Sequence, residues 1–394
     1  MSAQLINRSR DLRRLRDDGY EISIRGGHLL VAAPYVNAAQ EVKHGTFVTE
    51  LTMAGDVTTR PASHVAYFIG EHPCHRDGRE ITRIKHQEKR QDLGNGLVVD
   101  RSFSAKPKNG YSDFYEKVAT YLAIISAPAE ALDSDVTART HRATPSDGEE
   151  CVFQYVDTAS THAGIAAISD KLRGQKLGIV GVGGSGSYVL DYTAKTPVDE
   201  IHLFDGDRML QRNAFRAPGA LSAAELAKRP FKAQHFADAY GKMRRGVVAH
   251  CYYIDSGNCG ELESLDFVFL CVDKGSVKKP VVEHLETQGI PFIDVGMGVH
   301  AVDGRLLGIV RTTLSTPNRR GHYRQRVGFT DTEDADYARN IQIVELNALN
   351  AAHAVMRWKK LLGFYADVVN EHHSTYTIDG NMLLNDDEGD EGSK

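Results

Sequence analysis

Apolar and polar positions alternate in two different rhythms along this chain, and the change falls near residue 150. Upstream, the apolar runs at 45–51 (Gly-Thr-Phe-Val-Thr-Glu-Leu) and 64–69 (His-Val-Ala-Tyr-Phe-Ile) are short, β-branched and aromatic. Bounded by Gly, Pro and Asp, they predict strands. Over 111–125 the period becomes helical, with Phe114, Val118, Tyr121, Leu122 and Ile125 on one face. Strands followed by a helix predict a small N-terminal α+β domain over 1–150, and polar residues 137–150, with Pro145 and Gly148, predict a linker. Downstream, 177–180, 201–204, 268–272 and 292–295 are short apolar runs, with helical text at 185–193 and between the last two runs. This alternation predicts an α/β fold over 151–385, a doubly wound, mainly parallel Rossmann-like sheet. A final helix is predicted over 341–362, carrying Ile343, Leu346, Leu349, Asn350, Val355 and Leu361. Residues 386–394 hold five acids and one lysine and predict an acidic disordered tail.

Composition narrows the classes. With 41% hydrophobic and 25% charged residues, the chain is that of an ordinary globular protein, long enough at 394 residues for two or three domains. Its 47 basic and 52 acidic residues leave a net charge of −5, which argues against a protein built to coat nucleic acid. No apolar run approaches the ~18 residues of a membrane span, and Met1-Ser2-Ala3-Gln4-Leu5 does not read as a signal peptide. The five cysteines (Cys74, Cys151, Cys251, Cys259, Cys271) never form a Cys-x-x-Cys pair, so neither a disulfide scaffold nor a zinc site is expected. The expectation is a soluble, cytoplasmic, two-domain protein without a nucleic-acid or membrane partner.

The run at 177–180 leads into Gly181-Val182-Gly183-Gly184-Ser185-Gly186 and then into helical text. Glycines there allow a tight turn and close backbone approach to phosphate, and the helix start offers N–H groups to an anion. Asp205 closes the next strand 19 residues after Gly186, where a ribose-binding carboxylate belongs. These features alone leave open a dinucleotide oxidoreductase and an ATP user.

The residues that follow favour the second. Residues 204–216, Phe-Asp-Gly-Asp-Arg-Met-Leu-Gln-Arg-Asn-Ala-Phe-Arg, resemble the Asp-x-Asp…Asn-x-x-Arg block of the ThiF-type adenylating enzymes, the superfamily that includes the activating enzymes for ubiquitin and its relatives. Lys232, Asp273 at the end of Phe269-Leu270-Cys271-Val272, and residues 340–347 (Asn-Ile-Gln-Ile-Val-Glu-Leu-Asn) agree with that family; the resemblance spans about 158–365. It implies ATP- and Mg²⁺-dependent adenylation of the C-terminal carboxylate of a ubiquitin-like or sulfur-carrier-like protein ending in glycine, with release of pyrophosphate. By the same resemblance, Gly181, Gly183, Gly184 and Gly186 cradle the nucleotide and Asp205 holds the ribose. Asn213, Arg216 and Lys232 grip the phosphates, Asp273 organises Mg²⁺, and Asp207 supports the metal or the Asn213 loop. A homodimer is implied as well. The chemistry explains the residue types: two anions must meet in line, so their charge has to be neutralised and their geometry held.

Three features depart from the family pattern. No cysteine follows Cys271 to carry a thioester, no arginine stands in 158–165, where His162 is nearest the usual position, and the zinc cysteines of several relatives are absent. The first domain, with Glu71-His72-Pro73-Cys74-His75 and the helix after Tyr111, loosely resembles ubiquitin-conjugating enzymes, although their asparagine and cysteine spacing after His-Pro is missing. That likeness implies a conjugating or deubiquitinase-like protein as a further partner. Cys74 is the early candidate nucleophile, its pKa expected to be lowered by His72 and His75; a structural cysteine is the alternative. A His72/Cys74/His75 metal set lacks a fourth ligand. Arginines 8, 10, 13, 14 and 16 predict one face of a leading helix, solvated or docking an acidic partner. Against adenylation stand an NAD-dependent oxidoreductase, which shares the glycine loop and Asp205, and a non-catalytic nucleotide-binding scaffold.

Overall fold

The computed structural model describes residues 2–142, 151–163, 165–329 and 341–385. The acidic tail, part of the linker at 143–150, Asn340 and the side chain of His162 lie outside the described residues. The chain divides into two compact units, 1–148 with 155–161, and 149–154 with 162–394.

The N-terminal unit is built on one antiparallel sheet. Its strands are β1 (Ile22–Arg25), β2 (His28–Val36), β3 (Val42–Glu50), β4 (Val65–Ile69), β5 (Lys85–Gln87) and β6 (Arg101–Ser104), in the order β1-β2-β3-β4-β6-β5. Alternate residues Leu29, Val31 and Ala33 of β2 are fully buried, as period-two patterning requires of a sheet with one face on a core. Helices α1 (Arg10–Asp17) and α2 (Phe114–Ile125) supply Leu12, Leu15, Phe114, Val118 and Tyr121 to that core, beside Phe47, Phe68 and Phe103. Asp113 caps α2 by accepting the Glu116 N–H at 2.8 Å. The arginine face of α1 is not uniformly solvated. Arg14 lies over the Tyr115 ring at 3.6 Å, and Arg16 is buried and bonds Asp17, because amphipathic arginine stems cover apolar surface while their heads find partners.

The C-terminal unit carries an eight-stranded mixed sheet. Its strands are β7 (Lys176–Val180), β8 (Glu200–Phe204), β9 (Val247–His250), β10 (Phe267–Leu270), β11 (Phe292–Val302), β12 (Arg305–Ser315), β13 (His373–Thr377) and β14 (Met382–Leu384). The order is β9-β8-β7-β10-β11-β12-β13-β14; the first five strands are parallel and the rest antiparallel. Four consecutive residues of β10 are buried, the continuous apolar run expected of a strand covered on both faces. From β7 the chain moves outward through β8 to β9 and then returns to β10 on the other side of β7. Such a reversal opens a crevice beyond the carboxyl ends of β7 and β10, where open α/β sheets bind ligands.

Four helices matter here: α3 (Gly184–Ala194), α4 (Lys232–Gly241), α5 (Gly275–Gln288) and α6 (Val344–Leu361). Helix α6 packs on α3, β11 and β12. Its buried face differs from the expected one: Asn347, Ala351, Ala354 and Trp358 are buried with Leu346, Asn350 and Val355, while Leu361 is exposed. The reason is close approach. A Cβ on Gly184 of α3 would lie 2.3 Å from the Asn347 amide, so small and polar residues line the seam instead of leucines. Among the described residues no helix is long and apolar enough to cross a membrane.

Candidate functional site: a charged crevice around the glycine loop

The loop after β7 depends on missing side chains at two positions. Gly181 has φ +87°, and a Cβ there would meet the Cys271 carbonyl at 2.8 Å; a Cβ on Gly186 would fall 1.9 Å from the Gly181 oxygen. The loop therefore folds back onto the first turn of α3 and lies against the end of β10. Gly184 is fitted against Asn347, whereas a Cβ on Gly183 would meet nothing within 4 Å. Approach to the start of α3 is open at Gly183, and an eleven-residue helix presents its N–H groups there.

Asp205, at the end of β8, is buried and holds two backbones together. Its Oδ2 accepts the Val182 N–H at 2.9 Å and its Oδ1 the Asp207 N–H at 2.8 Å. Burial pushes its carboxyl above the ordinary value, against the pull of Lys232 at 3.8 Å. Lys232 starts α4, is itself buried, and donates to Asp207 Oδ2 at 2.6 Å. Burial also pushes the Asp207 carboxyl up, but hydrogen bonds from Lys232 and Tyr253 outweigh it and leave the value lowered.

Asn213 sits in the short helical turn Gln211–Ala214, buried, with its amide oxygen accepting the Leu210 N–H at 2.9 Å. The oxygen thus closes the turn that carries the chain to Arg216. The Arg216 guanidinium is half-buried; burial lowers its pKa, opposed by the charges of Asp273 and Asp207. Its Nε is buried without a hydrogen-bond partner. Asp273 is exposed in the link between β10 and α5, and its Oδ2 accepts from Gln342 Nε2 at 3.3 Å. Gly181, Gly183, Gly184, Gly186, Asp205, Asp207, Asn213, Arg216, Lys232 and Asp273 all belong to loops or helix starts beyond the carboxyl ends of β7, β8 and β10.

Asn347, Asp294 and Tyr253 stand close to these residues, and of the three only Asn347 falls in a stretch, 340–347, that the family resemblance marks. Asn347 of α6 is buried, accepts from Ser185 Oγ at 3.0 Å, and has an amide nitrogen without a hydrogen-bond partner. A polar residue between Leu346 and the rest of a helical apolar stripe was its available signal. Asp294 of β11, paired in register with Leu270, is fully buried between Lys278 Nζ at 2.7 Å and Arg311 Nη2 at 2.6 Å. An acid inside the run Phe292-Ile293-Asp294-Val295 already demands a cationic partner, since a lone buried carboxylate is too costly. Tyr253, which donates to Asp207, had no such signal.

The arrangement suits a polyanion. A helix start, Lys232 and Arg216 supply positive charge, and the unpartnered donors Arg216 Nε and Asn347 Nδ2 are the orphans a phosphate-bearing ligand would satisfy. Asp273 is an exposed carboxylate of the type Mg²⁺ takes beside phosphate oxygens.

Cys74 belongs to the N-terminal unit and does not have the environment expected of it. It is 1% exposed, its thiol donates to the His72 carbonyl at 3.3 Å, and burial, with Glu80 and Glu71, pushes its pKa up. The flanking histidines do not offset this: burial holds the His72 pKa down, which favours the neutral ring. Cys251 and Cys271 are half-buried against the core of the C-terminal unit.

The pattern of a domain of unknown function, DUF6791, matches residues 10–158. No curated protein matches. Among solved structures, E. coli MccB with MccA is similar at 18% identity and a TM-score of 0.45, over 58% of this chain and 68% of that one. E. coli MccB with ATP follows at 19%, TM-score 0.44, over 55% and 65%. PaaA matches at 15%, TM-score 0.43, over 55% and 74%. The pattern of the ThiF family matches residues 158–374, more than half of the sequence and the whole of the charged crevice, and the chain belongs to that family.

Proposed function

We propose that this protein adenylates the C-terminal carboxylate of a ubiquitin-like or sulfur-carrier-like protein, using ATP and releasing pyrophosphate. The observation that carries the reading is the set of opposite charges gathered beyond the sheet's carboxyl ends: Lys232 with Asp205 and Asp207, and Arg216 in the field of Asp273 and Asp207. A carboxylate oxygen of the substrate attacks the α-phosphorus, the bond to the bridging oxygen breaks, and pyrophosphate leaves. Both reactants are anions, so the residues act mainly by neutralising charge and fixing direction.

Each residue has a part in this reading. The loop from Gly181 to Gly186 and the start of α3 receive the triphosphate, with Gly183 leaving the approach clear. Asp205 shapes the loop through Val182 and presents the ribose side of the site. Lys232 and Arg216 hold phosphate oxygens, and Asn213 keeps Arg216 in place through its turn. Asp273 would hold Mg²⁺, which when bound neutralises charge on the phosphates. An oxidoreductase shares the loop and Asp205 but leaves Arg216, Lys232 and Asp273 without a common task.

The partner surface and the assembly state belong to the same reading. Leu306, Leu307 and Ile309 of β12 and Met382, Leu383 and Leu384 of β14 are exposed. Apolar exposure on one end of a sheet supports a protein partner, a second copy of the chain included. The burial of Cys74 favours direct transfer from the adenylate to an acceptor over a thioester on that sulfur. Exchange of labelled pyrophosphate into ATP, dependent on a glycine-ended ubiquitin-like protein, tests the reading; reduction of a nicotinamide cofactor instead would overturn it.

A further inference from the structure

The N-terminal unit holds a second group of chemistry-bearing residues that the adenylation site does not use. His72, Glu80 and Glu88 come from three separate stretches of chain, and one ligand atom of each lies within 4.8 Å of the others. His72 is 6% exposed and packs edge-on to Phe103, so its ring direction is fixed. Its Nε2 lies 3.4 Å from the Ile81 carbonyl, which only accepts. Nε2 therefore carries the proton, and the lone pair of a neutral ring sits on Nδ1. That Nδ1 is buried, has no hydrogen-bond partner, and lies 3.9 Å from Glu88 Oε1.

An imidazole lone pair and a carboxylate oxygen thus lie 3.9 Å apart, and both are acceptors. A cation between them, or a water donating to both, makes that approach favourable. A proton alone is a poor fit, because 3.9 Å between Nδ1 and Glu88 Oε1 is too long for the hydrogen bond it would make. Lys85 bonds Glu80 Oε2 at 2.8 Å and Glu88 Oε1 at 3.1 Å, and Arg101 Nη1 lies 3.5 Å from the same Glu88 oxygen, yet neither cation meets Nδ1. The backbone carbonyl behind Nε2 is the support that metal-bound histidines ordinarily have. One imidazole with two carboxylates is a borderline donor set, suited to first-row divalent ions more than to Mg²⁺ or Ca²⁺.

We propose that His72 Nδ1, Glu80 and Glu88 form a binding site for a first-row divalent transition-metal ion, with Lys85 as the cation it displaces. Three protein ligands leave coordination positions for water or a bound group. Glu88 also lines a cavity of about 700 Å³ with Tyr35, Gly70, Glu71, Asp100 and Arg101, which offers room for such a group.

The test uses the full-length chain, free of nucleotide, and Zn²⁺ alone, with Co²⁺ as the coloured substitute. About one equivalent should bind in equilibrium dialysis, and Co²⁺ should give visible bands of a low-coordinate site. Glu80→Gln with Glu88→Gln should weaken binding at least about tenfold while Asp273→Ala leaves it unchanged. Both glutamates are exposed, so their neutralisation removes nothing from the core. Lys85→Met removes the competing charge and should tighten binding several-fold, an effect that a purely structural ion-pair cluster does not produce. No stoichiometric binding at tens of micromolar Zn²⁺, or binding indifferent to Glu80, Glu88 and Lys85, overturns the proposal.

Discussion

Lys117 shows how one side chain links burial to a measurable property. It is 1% exposed within α2 and donates to Thr49 Oγ1 at 2.7 Å, Ser63 O at 2.9 Å and Val65 O at 2.8 Å. Burial lowers its pKa from 10.5 to about 8. Between those values the unfolded chain keeps a proton that the folded chain has released, so stability rises with pH across that window. The gain should approach about 3 kcal/mol. Urea unfolding of the N-terminal unit from pH 8 to 10 should show the rise, and Lys117→Met should flatten it; an unchanged slope in the variant would assign the effect elsewhere. The sequence marks Phe114, Val118, Tyr121, Leu122 and Ile125 as one buried face, yet Lys117 lies among them. Nothing in helical spacing foretells three carbonyl or hydroxyl acceptors gathered from β3, the chain before β4 and the first residue of β4. Cys74 teaches the same limit: adjacent histidines suggest an activated thiol, but neighbours in sequence do not report burial.

The strand–loop–helix unit from β7 to α3 is the part of the C-terminal site most legible beforehand, because its glycines answer to local geometry. Gly186→Ala places a Cβ 1.9 Å from the Gly181 oxygen, so the loop must open. That substitution should weaken ATP binding at least about tenfold and destabilise the unit by about 1–3 kcal/mol. Gly183→Ala meets nothing within 4 Å and should leave melting unchanged while still weakening ATP, since its methyl would stand in the phosphate approach. Calorimetric titration with ATP, paired with thermal melting, separates the two; equal losses of stability in both variants would contradict the assigned loop geometry. The buried face of helix α6 is not legible from its own pattern. Its leucines suggest the buried stripe, but the close seam with α3 selects Asn347, Ala351 and Ala354 instead. Seam width is set by the partner helix, which a single helix's pattern does not contain. Asp205 stands between these cases: its position after β8 was legible, its use in bonding Val182 and Asp207 was not.

At the scale of the whole molecule, a ThiF-family unit shares the chain with an N-terminal unit that has its own sheet and core. The exposed leucines of β12 and β14 favour self-association, so light scattering at micromolar concentration should give about twice the 43.4 kDa chain mass; the single-chain mass would count against a homodimer. If the charged crevice makes an acyl-adenylate, as proposed, Asp273 is the residue on which that chemistry turns. It lies at the sheet's reversal, beside Arg216, with its carboxylate exposed. The most direct measurement is ATP–pyrophosphate exchange with a glycine-ended ubiquitin-like protein, comparing the native chain with Asp273→Ala at matched thermal stability. Exchange should need the partner and fall at least about a hundredfold in the variant, or ~2.7 kcal/mol of transition-state stabilisation. Exchange within about threefold of the native rate in Asp273→Ala would contradict that proposal.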